Sequence, residues 1–488
     1  MILAALMHDA YKADHLSQYP KNTTKVYSNL TPRISRMKGV DSVVAFGMQY
    51  FVDDFLGRRF NESFFKKPKA EVIKQYQRRM DGVLGAGAIK TDHLERLHDL
   101  GYLPICLKAL PEGTICPLKV PVLTITNTLP DFAWLPNFLE TILSNVLWHP
   151  MTSATIAYEY RKLLHKYAKE TSDMPEFVQW QGHDFSMRGQ SSFESSLVSA
   201  GAHLTSFSGT DTIPGIDWLE QFYGANSELD LIGGSVPATE HSVMCLGGQE
   251  TEFDTYKRLI TEVYPKGIVS IVSDTWNYWD VLDKTIRNLK TEIMARDGKV
   301  VIRPDSGDPE TILCGDRSKS PDSPAGKGTF QLLWEIFGGT VNSKGFKQLD
   351  PHIGVIYGDS ITLERCESIC ARMKEQGFAS TNMVFGIGSY TYQYVTRDTF
   401  GFAMKATYGH VDGVAKEIFK DPLTDGGFKK SAKGLLRVDR NAEGLVLSEC
   451  VTEHEEQGGE LKTIFLNGQS IGRTSLNEIR VRIGKTLA

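Results

Sequence analysis

Val300-Val301-Ile302-Arg303-Pro304-Asp305-Ser306-Gly307 is an apolar run that ends abruptly in a cation, a carboxylate and a small turn. The run reads as a buried strand, and the polar residues after it as the strand's C-terminal tip. The same texture recurs upstream. Phe177–Trp180 leads to Gly182-His183-Asp184, and His203–Phe207 to Gly209-Thr210-Asp211. The segment before Pro237 leads to Glu240-His241, and Ile268–Val272 to Ser273-Asp274. Downstream, Gly354–Tyr357 leads to Gly358-Asp359, and Met383–Phe385 to Gly386-Ile387-Gly388. Most of these recur every ~25–35 residues, the length of a strand–loop–helix unit. An open doubly wound sheet would gather its chemistry at one switch point, whereas here nearly every strand tip is polar. The fold class is therefore read as α/β, an irregular TIM-like α/β barrel. Asp316–Lys327 reads as a polar loop inserted into it.

Outward from the barrel, residues 1–150 mix helix and short strand. Met1–Met7 reads as a buried strand, Ala70–Leu84 has helical spacing, and Asp92–Glu95 resembles a capping box with Gly101 as the stop. Pro104–Thr128 reads as an antiparallel meander, and Pro130–Trp148 and Thr152–Lys169 as two long helices. After Phe400 the texture returns to strands, at Gly401–Tyr408, Val414–Phe419, Leu435–Val438 and Leu445–Leu447. The expected division is residues 151–399 as the barrel, with 1–150 and 400–488 building a second α+β domain.

The chain has 488 residues, 41% hydrophobic and 23% charged, with a net charge of -5. That charge gives no general attraction to nucleic acid or to an anionic membrane, so a phosphate ligand needs a local cluster of cations. No apolar run approaches the ~20 residues that span a bilayer. Seven scattered cysteines without a C-x-x-C pair fit a reduced, cytoplasmic interior.

Several residues are placed to carry chemistry. Arg303, Asp305, Gly358, Asp359, Gly388 and Ser389 lie at consecutive strand tips, where backbone N–H groups and a cation can meet a phosphate. Each glycine motif alone also fits an ordinary tight turn. A second basic set comprises Arg33, Arg36, Arg397, Lys405, Lys420, Lys429, Lys430 and Lys433; a pyrophosphate needs several such cations, although a solvated face would look the same. Asp274, Asp305 and Asp359 could serve a ribose or a Mg²⁺ ion, which takes one or two carboxylates plus substrate oxygens and water; an Asp at a strand tip is also an ordinary helix cap. His241 lies beside Glu240 near a strand tip. No H-E-x-x-H, G-x-S-x-G or Walker motif occurs.

Taken in order, Asp9-Ala10-Tyr11-Lys12 with Gln18-Tyr19-Pro20, His183-Asp184-Phe185 with Arg188-Gly189, Gly209-Thr210-Asp211, Ser235–Ala238 with Glu240–Ser242, Val272–Asp274, Ile302–Gly307, Gly358-Asp359, Thr396–Asp398 and Phe419–Pro422 resemble the nicotinamide phosphoribosyltransferase family over nearly the whole length. The resemblance implies transfer of a phosphoribosyl group from phosphoribosyl pyrophosphate to nicotinamide, coupled to ATP hydrolysis, in a homodimer with shared active sites and with Mg²⁺. It implies that Phe185 and the other subunit's Tyr11 stack on the pyridine ring, with Asp211 on the carboxamide and Arg188 at the ring's polar edge. It implies Arg303 and Asp305 at the ribose and phosphate, and Gly358, Asp359, Gly388 and Ser389 around the 5′-phosphate and ribose. It also implies Arg33, Arg397, Lys405, Lys420 and Lys429 on the pyrophosphate, and His241 as a transiently phosphorylated residue. Asp274 and Asp359 are the expected metal ligands. A nicotinate phosphoribosyltransferase, a barrel aldolase or isomerase acting on a sugar phosphate, and a non-catalytic binding protein on a barrel scaffold are the competing readings.

Overall fold

The computed structural model describes residues 1–420 and 431–487. The strand ending at Arg303 is Asp297–Arg303, and it lies within a six-stranded parallel sheet. Its neighbours in order are Gly209–Thr210, Gly182–Asp184, Met383–Ile387, Ile353–Tyr357, itself, and Lys266–Val272. The sheet curls until the segment 234–238 bridges both edges, with Gly234 beside Gly209 and Ala238 beside Ser270. Seven parallel segments thus form the ring expected from the seven strand tips. Registers such as Ile387 with Asp184 and Val272 with Arg303 bring the C-terminal tips to one rim.

Two strands sit later than expected. Phe177–Trp180 is the end of a short helical segment, Pro175–Gln181, and the strand is Gly182–Asp184. His203–Phe207 is a helix end and turn, and the strand is Gly209–Thr210. Segments this short satisfy a buried helix turn as well as a strand, so periodicity could not separate them.

The second sheet is antiparallel and seven-stranded: Val414–Glu417, Ala403–Val411, Thr23–Thr31, Leu123–Asn127, Ile105–Ala109, Lys462–Leu466 and Gln469–Ser470. Strands from both ends of the chain pair within it, as in Asn29 with Lys405. The expected meander is only partly realised, because Ile115–Pro117 leaves it to pair with Ser42–Val44. Met1–Met7 holds a short 3₁₀ turn, Ala4–Leu6, and no strand; packing buries Leu3, Ala4 and Ala5, while Met1 and Ile2 are exposed. The helix Asp92–Leu100 starts from Thr91 without a side-chain cap, so the capping box is absent, while Gly101 does end it in the left-handed region. The polar insert is shorter than expected, since the helix Pro324–Phe337 begins inside it.

One helix, Glu140–Thr171, replaces the last part of the first expected helix and all of the second, and it runs through Pro150. Leu143, Leu147, Met151 and Ala154 join the core under the antiparallel sheet, while Ile156, Tyr160 and Leu164 join the core around the barrel. Burial on both sides offsets the cost of an internal proline. Gly47, at φ 96°, fits against that turn: a Cβ there would lie 2.6 Å from Pro150 Cγ.

Glu112 is buried beneath this junction and accepts hydrogen bonds from the backbone N–H groups of Gly47 and Gln49. Burial pushes its carboxyl up to about 7, against the pull of those bonds. A carboxyl raised in the folded state binds its proton more tightly there, so its contribution is complete below the unfolded value near 4.5 and is lost as pH rises through about 7. The stability of the unsubstituted chain relative to Glu112→Gln should therefore fall by up to about 3 kcal/mol between pH 5 and 8, followed by urea unfolding. A difference independent of pH would contradict this ionisation.

Candidate functional site

The barrel encloses a cavity of about 440 Å³, lined near the rim by His183, Phe185, Asp211, Ser235 and Arg303 and deeper by Trp180 and Lys299. Each rim residue is set by a strand end. Phe185 directly follows Gly182–Asp184, and its N–H donates to Ile387 O at 3.0 Å. Its ring occupies space left by Gly386 and lies at ordinary contact distance from Gly358. A Cβ on Gly386 would lie 2.6 Å from the ring and one on Gly358 3.7 Å from it. Asp184 is fully buried and its carboxylate braces the rim, accepting from the backbone Ser186 N and the side-chain Thr210 Oγ1 at 2.9 Å each.

Asp211 projects into this cavity. His183 Nε2 donates to its Oδ1 at 2.9 Å, and Ser235 Oγ donates to the same oxygen. Burial would raise this carboxyl; the bonds from His183 and Ser235 and the charges of His183 and Arg303 outweigh it and hold it below the usual carboxylate range. Arg303 reaches Thr239 O through one terminal nitrogen, and its buried Nε has no hydrogen-bond partner among the described residues.

The acids continue outward from Arg303. Asp305 N donates to Asp274 Oδ2 at 3.2 Å, and a Cβ on Gly358 would lie 2.9 Å from Asp305 Oδ1, so Phe185, Gly358 and Asp305 meet. Burial raises the Asp305 carboxyl; Arg303 draws it down, while Asp274 and Asp359 push it further up. His241 Nε2 stands 3.9 Å from Asp274 Oδ1, and its Nδ1 lies 3.3 Å from Thr275 Oγ1. Asp274 Oδ1 is buried with no hydrogen-bond partner among the described residues. Crowded carboxylates with an unpartnered oxygen suit a divalent cation. Among the described residues, no group of three or more His, Cys, Asp or Glu stands ready to hold a metal by itself. Mg²⁺ takes most of its ligands from substrate and water and so requires no such group from a protein.

Ser389 opens the helix Ser389–Gln393 behind Gly388, and the turn Met187–Gly189 packs on it so closely that a Cβ on Gly189 would overlap the Ser389 hydroxyl. This brings the exposed Arg188 to the same rim. Asp359 is exposed beside Ser360, whose hydroxyl donates to it at 2.8 Å.

The basic set lies elsewhere. Arg33 and Lys405 share a separate cavity of about 220 Å³ with Lys119. Arg33 Nε donates to Gly401 O at 3.2 Å. Burial lowers the Lys405 ammonium; Glu140 raises it, and Arg33, Lys420 and Lys12 lower it further, so these groups lie within reach of one another. Arg397 is exposed and pairs with Asp398 at 3.2 Å. Lys429 falls outside the described residues. Tyr11 is 59% exposed and lines neither cavity. Its turn is fixed by the Lys12–Glu140 ion pair at 2.9 Å, and Glu140 ties it to the Lys405 cluster.

The structure thus unites Phe185, Asp211, Arg303, Asp305, Asp274, His241, Gly358 and Ser389, and leaves Tyr11, Arg33, Lys405 and Lys420 as a second group. His183 and Ser235, which hold Asp211, and Lys119 had no role assigned from sequence. The parallel register that sets His183 beside Gly209 carries the missing signal for the first.

Residues 180–469 match the nicotinate phosphoribosyltransferase (NAPRTase) family, and residues 3–81 match the nicotinamide phosphoribosyltransferase N-terminal domain. The chain is 54% identical to nicotinamide phosphoribosyltransferase of Acinetobacter baylyi, over 98% of this chain and 96% of that one. It is 37% identical to the Mycoplasma pneumoniae enzyme of the same name, over 86% and 92%. The crystal structure of nicotinate-nucleotide pyrophosphorylase from Pyrococcus furiosus shares the fold, with a TM-score of 0.59 at 15% identity, over 99% of this chain and 95% of that one. Matched at both ends and along almost all of its length, the chain belongs to the nicotinamide phosphoribosyltransferase family.

Proposed function

We propose that the chain transfers the phosphoribosyl group of phosphoribosyl pyrophosphate to nicotinamide, giving nicotinamide mononucleotide and pyrophosphate for NAD biosynthesis. The observation that carries this reading is one cavity rim holding an aromatic face, Phe185, an ionised acid, Asp211, and a cation, Arg303.

The ring nitrogen forms its bond to the ribose C1 as the bond from C1 to the pyrophosphate oxygen breaks. C1 passes through an oxocarbenium-like state, and pyrophosphate leaves with the bonding electrons. Nicotinamide attacks as the neutral ring, so no general base is required. Phe185 and Tyr11 of the partner subunit hold the ring in line. Asp211 accepts from the carboxamide NH₂, and Arg188 faces the ring's polar edge. Arg303 and Asp305 hold the ribose and its phosphate region, while Gly358, Asp359, Gly388 and Ser389 surround the 5′-phosphate and ribose. Arg33, Lys405 and Lys420 of the second group, together with Arg397 and Lys429, neutralise the leaving pyrophosphate from the partner subunit. Two observations favour a homodimer with shared sites. Tyr11 and the basic cavity are joined through Glu140, and neither lines the barrel cavity of its own chain.

Asp274 and Asp359 would hold Mg²⁺, which when bound stabilises the charge of the leaving phosphate. ATP is the co-substrate. A nitrogen of His241 takes the γ-phosphoryl group as the bond to ADP breaks, and the buried Asp274 carboxylate behind the ring stabilises the charge that develops. All seven cysteines are free, which fits a reduced, cytoplasmic interior, and no helix among the described residues is long and apolar enough to cross a membrane.

Incubation with nicotinamide, phosphoribosyl pyrophosphate and Mg²⁺ should release one pyrophosphate per mononucleotide; absence of the mononucleotide would overturn the reading. With γ-labelled ATP, the chain should acquire an acid-labile phosphoryl group that His241→Ala lacks. The same variant should lose ATP stimulation while keeping basal transfer. Equal stimulation in both proteins would refute the phosphohistidine.

A further inference from the structure

Two hydrogen bonds meet on one oxygen of Asp211. His183 Nε2 donates to Oδ1 at 2.9 Å and Ser235 Oγ donates to the same atom, whereas Oδ2 accepts no hydrogen bond among the described residues. The carboxylate is pinned by one oxygen and presents the other to the cavity. His183 itself has little freedom. Its side chain is 11% exposed, and its ring lies 4.7 Å from that of Phe185. Gly209 leaves the space that the ring fills, since a Cβ there would stand 2.7 Å from His183 Nδ1. The backbone of Asp211 is held too, by its N–H donating to Asp184 O at 3.0 Å. One imidazole therefore touches both halves of the base pocket, the aromatic face and the acid.

We propose that His183 is a positioning residue for base recognition: it fixes Asp211 so that the free Oδ2 meets the carboxamide NH₂ of a ring lying on Phe185. This rests on the nicotinamide reading given above. A carboxylate free to rotate would lose the ordering that makes one charge-assisted hydrogen bond selective. Ser235 alone leaves the side chain a rotor about a single contact, while His183 and Ser235 together define a plane. His183 touches no reacting atom, so its removal weakens binding of the base and spares the transfer step.

Steady-state kinetics on the full chain with nicotinamide, nicotinate and phosphoribosyl pyrophosphate test this. His183→Ala should raise the nicotinamide KM about tenfold, with kcat and the phosphoribosyl pyrophosphate KM within about twofold of the unsubstituted chain. His183→Gln, which can still donate, should recover part of that loss. Neither variant should gain on nicotinate, because Asp211 keeps its charge. In an Asp211→Asn background, His183→Ala should raise the nicotinamide KM no further. Should His183→Ala fail to fold, Gly209→Ala carries the same test, since its methyl group displaces the ring. An unchanged nicotinamide KM, equal losses for both substrates, or the full increment in the Asp211→Asn background would overturn the proposal. Failure of the unsubstituted chain to use nicotinamide would instead remove the functional reading, and that result is separate because it needs no variant.

Discussion

Mixing Tyr11→Ala chains with Arg303→Ala chains, each lowering activity by at least about 100-fold alone, should restore up to about a quarter of normal activity. Random pairing makes half of the dimers mixed, and each mixed dimer has one site with both changes and one with neither. The expectation rests on where the residues lie. Arg303 lines the barrel cavity, whereas Tyr11 is on the far group, 59% exposed and braced by Lys12 and Glu140. Arg303 is costly to lose because its buried Nε, without a partner among the described residues, is available to donate to substrate and its charge stabilises Asp211. Co-expression with two affinity tags isolates the mixed species, in which one site of two is intact and activity should reach up to about half of normal. Activity no greater than the sum of the two parents would place Tyr11 outside the shared site.

Asp211→Asn should reverse the preference between bases, improving nicotinate use by at least about tenfold and reducing nicotinamide use by a similar factor. Its neighbours hold the Asp211 carboxyl below the usual carboxylate range, and its Oδ2 accepts no hydrogen bond among the described residues. A nicotinate carboxylate set against it meets like charge in a partly desolvated pocket, which costs several kcal/mol in order of magnitude. Asparagine removes the repulsion but offers His183 and Ser235 a weaker acceptor. Ratios of kcat/KM for the two bases measure the effect, and an unchanged ratio would show that Asp211 does not contact the amide.

The barrel was legible because its strand tips are polar and its strands are not: Val300–Arg303 into Asp305 and Gly354–Tyr357 into Gly358 stand where their residues place them. The strands Gly182–Asp184 and Gly209–Thr210 escape such a reading because they are only three and two residues long and lack β-branched runs. Their neighbours, Val178 and Phe207, are apolar because a helix and a turn bury them. Pro150 reads as a break, yet tertiary packing on both sides keeps Glu140–Thr171 one helix. Within the site, charged residues at the tips announced themselves. His183 did not, because its partner Asp211 lies 28 residues away and only the pairing of two parallel strands brings them together. Lys119 was hidden in a loop at φ 69°, and its approach to Arg33 and Lys405 depends on the antiparallel sheet.

A crystal structure of the chain with nicotinamide mononucleotide and pyrophosphate tests the shared, acid-ended base pocket most directly. The pyridine ring should lie between Phe185 and Tyr11 of the partner subunit, its carboxamide nitrogen within hydrogen-bond distance of Asp211 Oδ2, and the pyrophosphate among Arg33, Lys405 and Lys420 of that partner. A ring bound away from Phe185, or a site completed by one chain alone, would contradict it.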